Sequence, residues 1–541
     1  MKKKILAIIL IMAFLITGCK AKGGKTNGSE VTEGKSSGEE KIFTLTLFQN
    51  PKTLDIQKTN ADYFIPIQIY NRLVETEVGE SGEPEIVPSL AKSWEVSEDG
   101  LVYTFHLNKG VKFHNGEELK ADDVLFTIEK MMDPKEATVN SSVFEAIKGS
   151  KEKLEGKAEK VEGVKVVDDY TVELTLEKPS GPFLAGLSGA PASIFNRKAV
   201  EEGKDKFGFD PEYTVGTGYM KFKDWTQDKE INLIRNDDYF KEPAKVDGVK
   251  YLMNIDKATE RMMFENGEID YLSLDKASYE KYNSDDKYKE YITEYSGPSM
   301  DYMVFNQKDP NMAKLEVRQA ISKAIDRETF NKTFYDGEGI LINGVVPPGM
   351  PGYQKNLPEI EYNPNEAKEL IEKANIDKSS PFIILQNGDS EYTHPMNEML
   401  QKMLKEVGIE AEIKNMDMTS YWDTVFSGEG FSMTIGPVTA DVADPDDFYA
   451  SFTVEDSGAN GYNVTDEELS KKINEARDIT DTDERIKALN ELDKEIVHEK
   501  ALYFPIASKV RRYITSSRVK NLNLSWQGWV AGATYGVEIE E

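Results

Sequence analysis

The chain is poor in the residues that cross-link proteins and bind transition metals. Its 541 residues include one cysteine, Cys19, and four histidines. A single cysteine cannot form a disulfide within the chain, so no internal cross-link stabilises the fold. The histidines are far apart and lack the paired spacing of metal ligands: they are His106, His114, His394 and His498. We therefore expect neither a metal site nor a cofactor.

Motifs for catalysis and for nucleic-acid binding are missing as well. With no Gly-x-Ser-x-Gly elbow after residue 40 and no cysteine after Cys19, the body of the chain shows no candidate nucleophile. Acidic pairs are abundant, so composition alone leaves a two-carboxylate hydrolase open. His106 lies on the polar face of its strand and His114 beside an Asn-Gly turn, so we expect both at the surface. The formal charge of −30 disfavours nucleic acid as a partner.

Long apolar runs are absent apart from one at the N-terminus. Three lysines precede twelve apolar residues, Ile5 to Ile16, which is typical of a signal peptide and short for a membrane span. The sequence ITGC, which ends at Cys19, resembles a lipobox, in which the cysteine is acylated. An ordinary signal peptide that happens to precede a cysteine is the alternative. We predict a lipoprotein signal peptide over 1–18, lipidation of Cys19, and a flexible tether rich in Gly, Ser, Lys and Glu over 19–40.

The most informative stretch is 93–129, SWEVSEDGLVYTFHLNKGVKFHNGEELKADDVLFTIE. From Leu101 to Leu107 apolar and polar residues alternate, which predicts a half-buried strand. Helical spacing follows from Ala121 to Glu129. The pattern of Trp, Asp-Gly, Phe-x-Leu, Lys-Phe and Ala-x-Asp-Val resembles the signature of the peptide/nickel class (family 5) of extracytoplasmic solute-binding proteins. Within that family the chain is most similar to the oligopeptide- and dipeptide-binding lipoproteins of ABC transporters.

Later segments carry helix signals and share the resemblance. The segments are NQKDPNMAKLEVRQAISKAIDRETF (306–330), YNPNEAKELIEKA (362–374) and QKMLKEVGIEAEI (401–413). An apolar stripe follows 316–330, Asn363 is placed to cap one helix, and Thr465 is placed to cap another. Gly216-Thr217-Gly218-Tyr219 opens a hairpin. Strands that alternate with helices in this way predict α/β lobes.

The resemblance extends over roughly residues 42–520 and implies a fold. That fold is α/β, two-lobed and periplasmic-binding-protein-like (class II type), with an additional small domain, and the chain should cross between the lobes more than once. The expected first lobe comprises 41–72, 200–300 and 506–541, the additional domain is 73–199, and the second lobe is 301–505.

The acidic segment FSMTIGPVTADVADPDDFYASF at 431–452 is the candidate ligand site. It fails the EF-hand pattern, and a solvated acidic turn is the alternative interpretation. The resemblance implies that Asp441, the first Asp of a run Asp-x-x-Asp-Pro-x-x-Phe, holds the α-ammonium group of a bound peptide. Relatives carry Gly-Trp before that Asp, whereas this chain has Gly436-Pro437. Since proline has no N–H to donate, strand-like contacts with the ligand should shift to Val438, Thr439 or Ala440.

The resemblance also implies a function and a set of partners. We expect a lipid-anchored, monomeric binding protein on the extracytoplasmic side of the cell membrane, which closes its lobes over an oligopeptide and delivers it to ABC permease subunits. The stretch NGDSEYTHP before the helix at 396–407 has no Arg or Lys to grip a ligand carboxylate, which favours longer peptides over dipeptides. Alternatives within the fold are a nickel-chelate or oligosaccharide binder. Alternatives of another class are a secreted hydrolase or a surface chaperone.

Overall fold

The computed structural model describes residues 40–541 except 48–49, 60–62, 81, 378–380, 389, 391, 529–533 and 541. Lys41–Glu541 forms one compact unit. Cys19, the segment 1–18 and the tether up to residue 39 lie outside the described residues. Among the helices that are described, none combines the length and the apolar character needed to cross a membrane.

Strands and helices are interleaved along the chain. The strands are β1 Ile42–Leu47, β2 Val74–Val78, β3 Pro84–Pro88, β4 Ala91–Val96, β5 Val102–Leu107, β6 Val164–Asp168, β7 Thr171–Thr175, β8 Met220–Thr226, β9 Glu230–Arg235, β10 Gly248–Met253, β11 Tyr271–Ser273, β12 Ile292–Tyr295, β13 Ser299–Phe305, β14 Ile340–Leu341, β15 Phe382–Asn387, β16 Ala411–Met416, β17 Met433–Thr439, β18 Tyr503–Ser508, β19 Arg511–Thr515, β20 Val519–Lys520 and β21 Glu538–Ile539. The α-helices are α1 Pro66–Ile69, α2 Ala121–Met131, α3 Ser150–Leu154, α4 Phe183–Ser188, α5 Arg197–Gly203, α6 Lys257–Glu265, α7 Lys276–Asn283, α8 Leu315–Ala324, α9 Arg327–Phe334, α10 Pro364–Ala374, α11 His394–Glu406, α12 Met418–Ser427, α13 Asp446–Tyr449, α14 Glu467–Arg477 and α15 Thr482–Asn490.

The larger sheets are built from strands that are distant in sequence. A six-stranded mixed sheet has the order β14-β18-β13-β17-β15-β16, and a four-stranded sheet has the order β1-β10-β9-β8 with β1 parallel to β10. A second four-stranded sheet, β4-β5-β7-β6, is antiparallel throughout. A three-stranded sheet, β11-β19-β12, and the pairs β2-β3 and β20-β21 complete the described set. The fold is therefore mixed α/β, as predicted.

Separate hydrophobic cores lie against these sheets. Phe105 and Leu174 belong to the core at β4-β5-β7-β6, and Phe305 and Ile384 to a core at the six-stranded sheet. The core at β1-β10-β9-β8 combines residues near the two ends of the described chain, such as Leu45 and Ile539. The residue bounds given above for the two lobes and the additional domain stay a prediction. The boundary between residues 505 and 506 falls inside β18.

Several local predictions are confirmed. β5 buries Tyr103, Phe105 and Leu107 on one face, as the alternation indicated, and α2 begins at Ala121. β8 and β9 form the hairpin predicted after residues 216–219. Asn363 caps α10, since its side chain accepts a hydrogen bond from the N–H of Glu366 at 3.2 Å.

Two helix predictions differ from the structure because a nearby aspartate caps the helix instead. The apolar stripe over 316–330 is divided between α8 and α9, since Asp326 accepts from the N–H of Thr329 at 3.0 Å and starts a new helix. The cap of α14 is Asp466, which accepts from the N–H of Leu469 at 3.0 Å. The prediction of Thr465 as that cap is wrong.

The expectation of a surface position for His114 is also wrong. Its Nε2 lies 3.0 Å from the carbonyl oxygen of Gly218, and its Nδ1 accepts from the N–H of Gly216 at 3.3 Å. Burial lowers the pKa of His114 to about 4, so the ring is neutral at pH 7 and braces the loop before β8. His106, by contrast, keeps 34 % of its side chain exposed, as expected for the polar face of β5.

Two short connections join the three-stranded sheet to the six-stranded sheet. Residues 296–298 lead from β12 to β13, and residues 509–510 lead from β18 to β19. The N–H of Ala440, directly after β17, donates to the carbonyl of Pro298 at 2.8 Å. The acidic segment therefore begins beside one of these connections.

Candidate binding cleft

A cleft of about 1140 Å³ lies where several parts of the fold meet. The lining residues come from the segments 63–78, 140–143, 182–191, 219–241, 293, 441–450, 513, 522–527 and 535–536. Segments 63–78 and 219–241 adjoin the four-stranded sheet that contains β1, and 441–450 follows the six-stranded sheet. The wall of the cleft thus combines elements from both of these sheets.

The acidic segment is held in place by two ion pairs that the sequence did not reveal. Asp444 and Arg485 are both buried, and Oδ2 of Asp444 lies 2.5 Å from Nη2 of Arg485. Oδ1 of Asp446 lies 2.7 Å from Nε of Arg477. Burial raises the pKa of Asp446 to about 6, and Arg477 opposes that rise. Asp444 and Asp446 are therefore held in ion pairs and are not part of a solvated turn, although Asp446 also lines the cleft.

Asp441 and Asp447 have a different environment from these two. Both line the cleft, and the N–H of Asp441 donates to Oδ2 of Asp447 at 2.8 Å. In the described part of the chain, neither carboxylate has a Lys, Arg or His within ion-pair distance. The Asp441 side chain is exposed to the cleft, yet desolvation by the surrounding protein raises its pKa. Burial, and then the charge of Asp441, raise the pKa of Asp447 well above its usual range.

Tyr63 lies within electrostatic range of this pair. Burial and then the negative charge of Asp441 raise the pKa of the Tyr63 phenol to about 12. Tyr63 precedes α1, whereas Asp441 follows β17, so the two groups reach the cleft from different sheets. The carboxylate pair therefore lies where opposite walls of the cleft approach each other.

The other predicted contact residues lie in β17 or next to it. Val438 pairs with Met300 and Thr439 with Ser299 across the β13–β17 ladder. Hydrogen-bonded pairs alternate along an antiparallel ladder, and Ala440 bonds to Pro298. The N–H groups of Ala440 and Val438 therefore point at β13, and those of Thr439 point away from it. On its other side β17 pairs with β15 only at Met433 and Thr434. The residues that line the cleft include Asp441 but none of these three, so their contact with a ligand stays a prediction.

On the facing wall, Arg72 and Glu75 form the centre of a polar network. Nη2 of Arg72 lies 2.5 Å from Oε2 of Glu75, while Oε1 of Glu75 accepts from Asn71 and Ser89, each at 3.0 Å. Tyrosines surround this network: Tyr219, Tyr239 and Tyr535, whose ring centroids lie 5.1 to 6.1 Å apart. This wall is therefore both charged and aromatic.

The C-terminal segment 522–527 closes one side of the cleft, and the sequence did not predict this role. Nε2 of Gln527 donates to the carbonyl oxygens of Ala440 at 3.2 Å and Asp441 at 3.4 Å. Leu522 packs on the core that contains β1, and Trp526 packs on a core of the six-stranded sheet. The segment thus links the two cores and fixes the backbone at Asp441.

In the described part of the chain, the cleft contains no group of side chains arranged for catalysis or for metal binding. The described residues contain no group of three His, Cys, Asp or Glu side chains placed to hold a metal. His394 and His498 each contact a backbone carbonyl, at 3.4 Å and 3.0 Å. In the stretch NGDSEYTHP, the hydroxyl of Tyr392 donates to the buried Asp301 at 2.6 Å.

Comparison with known proteins agrees with this architecture. The family described as bacterial extracellular solute-binding proteins, family 5, middle region, matches residues 85–460. The dipeptide-binding protein of Escherichia coli K12 is 27% identical over 509 residues, covering 88% of this chain and 91% of its own. Heme-binding protein A of Haemophilus influenzae is 28% identical over 574 aligned positions, covering 100% of both chains.

A solved structure has a fold similar to that of this protein. The ABC transporter-associated periplasmic binding protein DppA from Helicobacter pylori, in complex with the peptide STSA, superposes with a TM-score of 0.75 at 26% identity, covering 93% of this chain and 99% of that one. The two-lobed α/β fold expected from the resemblance is thereby confirmed, and the protein is a solute carrier rather than an enzyme. The chain belongs to family 5 of the bacterial extracellular solute-binding proteins.

Proposed function

We propose that this protein binds peptides outside the cytoplasm and that Asp441 receives the α-ammonium group of the ligand. The observation that carries the proposal is the Asp441–Asp447 pair, two desolvated carboxyl groups in the cleft with no cationic side chain beside them in the described part of the chain. A carboxylate in such a site gains most from a cation that arrives with the ligand. In this proposal the N–H and C=O of Thr439, which point away from β13, would extend the contact along the peptide backbone, with Val438 and Ala440 beside them.

The comparisons support peptide as the ligand class. One relative is named for dipeptides, and one similar solved structure is of a protein in complex with the peptide STSA. The cleft volume of about 1140 Å³ exceeds the range of roughly 300–1,000 Å³ that is typical of small-molecule sites. A cleft of this size has room for an oligopeptide and its hydration, and water-mediated contacts would tolerate varied side chains.

Ligand capture proceeds, in this proposal, by closure of the lobes about the connections at 296–298 and 509–510. Contacts that closure would form are present between the loop 178–181 and the segment 477–485. Lys178 lies 3.0 Å from Asp478, and the N–H of Gly181 donates to the carbonyl of Arg477 at 2.9 Å. A Cβ at Gly181 would lie 2.2 Å from the carbonyl oxygen of Ile479, so this approach requires glycine. The contact packs on Arg485, which in turn holds Asp444 in the acidic segment.

The cellular arrangement is the last part of the proposal. Lipidation at Cys19 would anchor the protein to the extracytoplasmic face of the membrane, and the tether over 19–40 would let it reach ABC permease subunits. Two or more acyl chains suffice for stable anchoring, whereas one gives only marginal binding. The monomer would then collect peptides close to its transporter.

A second solute class is favoured by one observation. The tyrosines Tyr219, Tyr239 and Tyr535 form an aromatic wall in the cleft, which suits stacking against a sugar ring. A thermal-shift screen of peptides, oligosaccharides and nickel separates the classes, because a ligand that binds only the native state raises the melting temperature. We expect the largest shift from peptides.

The decisive experiment compares free and N-acetylated peptides by calorimetry on wild-type protein and on Asp441→Ala. Because the Asp441 side chain supports no core, the variant should fold, and it should lose about 2–5 kcal/mol of binding free energy, or roughly 30- to 5,000-fold in affinity. Acetylation should weaken binding to the wild type for the same reason. Asp423→Ala, an exposed aspartate on α12, is the matched control and should bind normally. Equal affinity for free and acetylated peptides would contradict the role of Asp441.

A further inference from the structure

We infer that Arg72 binds a carboxylate group of the ligand, on a different wall of the cleft from Asp441. The inference rests on the proposed function, since it describes how the same peptide is held at a second point. Arg72 lies between α1 and β2, within the segment 63–78 that lines the cleft. Its guanidinium is the group that would bind the carboxylate.

The guanidinium is buried and has hydrogen-bonding capacity left over. Arg72 is only 7% exposed, yet in the described part of the chain its Nε and Nη1 have no hydrogen-bond partner. Nη2 alone is engaged, with Glu75. A buried cationic donor without an acceptor is costly, and a ligand carboxylate is the acceptor that matches it best in charge and shape. The cost is relieved when such a ligand binds.

Glu75 holds the Arg72 guanidinium in place but occupies only one of its three nitrogens. Both Glu75 oxygens are occupied, one by Arg72 and the other by Asn71 and Ser89. The Glu75 carboxylate is thus fixed by three donors, and the Arg72 guanidinium cannot move without breaking its ion pair. A donor that is already oriented loses little entropy when the ligand arrives.

The charge pattern of the cleft points to the same ligand chemistry. The described cationic residues that line it are Arg72 and Lys241, and Lys241 is 35% exposed and lies 3.6 Å from Glu77. Arg72 is therefore the buried cation of the lining, paired with Glu75 through Nη2 alone, and Asp441 with Asp447 is the negative site without a cation. A cleft with this pair of sites is complementary to a molecule that carries both an ammonium and a carboxylate. In a peptide the carboxylate is either the C-terminus or an acidic side chain.

Two matched peptide pairs test the inference by calorimetry on the full-length protein. The first pair is trialanine and its C-terminal amide, and the second is Ala-Glu-Ala-amide and Ala-Gln-Ala-amide. We expect the wild type to prefer the acid in one pair by on the order of 10- to 100-fold. The preference should disappear in Arg72→Met and partly survive in Arg72→Lys. The peptide pair for which the wild type prefers the acid identifies which carboxylate Arg72 binds, the C-terminus or an acidic side chain.

The control is Arg261→Met, which removes an arginine of α6 that is paired with Asp275 and lies outside the cleft. This variant should keep the preference. Because the acid-to-amide ratio is measured within one variant, reduced stability of that variant does not change it. No preference in either pair, or a preference that persists in Arg72→Met, overturns the inference and leaves the proposed function standing. If no peptide binds in either form, the proposed function fails and the inference fails with it.

Discussion

The ion pair between Asp444 and Arg485 allows a quantitative prediction. The two side chains are only 4% and 2% exposed, and their closest atoms are 2.5 Å apart. Arg485→Met removes the cation and leaves a buried carboxylate without compensation, which typically costs 3–5 kcal/mol. Arg485 also donates from Nη1 to the carbonyl of Ile479 at 3.0 Å, and the variant loses this hydrogen bond as well. The free energy of unfolding should therefore fall by about 4–5 kcal/mol, the upper end of that range.

Urea unfolding at pH 7 measures this loss as a shift in the midpoint at constant slope. The double variant Asp444→Asn/Arg485→Met should recover part of the stability, because it no longer buries an unpaired charge. Arg477→Met is the matched control, since its pair with Asp446 is more exposed, with 27% and 10% of the side chains accessible, and should cost less. A loss below about 1 kcal/mol for Arg485→Met, or a double variant as unstable as the sum of its single variants, would refute the reasoning.

Two further predictions concern pH and the anchor. Because burial lowers the pKa of His114 from 6.5 to about 4, its neutral form contributes stability that is fully present above pH 6.5 and lost as the pH falls toward 4, by roughly 3 kcal/mol. Urea midpoints at pH 7 and pH 4.5 should therefore differ more in the wild type than in His114→Asn, and equal pH dependence would contradict this. Cys19→Ser should move the protein from the membrane to the soluble fraction, and palmitate should label only the wild type. A variant that still sediments with membranes would contradict the anchor.

Three predictions that depend on neighbouring residues are confirmed. The alternation from Leu101 to Leu107, the helix that begins at Ala121 and the cap at Asn363 each reflect interactions within a few residues, and the structure contains all three. Even for such local features, two neighbouring residues that can play the same role make a prediction from sequence less accurate. Thr465 and Asp466 are both residue types that cap helices, so the sequence alone does not distinguish them. The backbone geometry makes Asp466 the cap of α14.

The site depends on contacts that periodicity does not reveal. Arg485 lies 41 residues from Asp444, and Gln527 lies 87 residues from Ala440. The burial of His114 depends on Gly216 and Gly218, more than one hundred residues away. The resemblance to a family directed attention to Asp441, whereas Arg72 carries no sequence signal, since its importance comes from burial and unused donors.

The core around β1 has a consequence for how the protein is made. β1 at residues 42–47 pairs in parallel with β10 at 248–253, and Val537 and Ile539 complete the same core. Most of this hydrophobic cluster comes from residues 43–253, but it is complete only when the C-terminal residues are also available. An extracellular protein must leave the cytoplasm before it folds if it is threaded through a narrow translocation channel. The core around β1 is completed last, whereas the core at β4-β5-β7-β6 needs only residues 73–215.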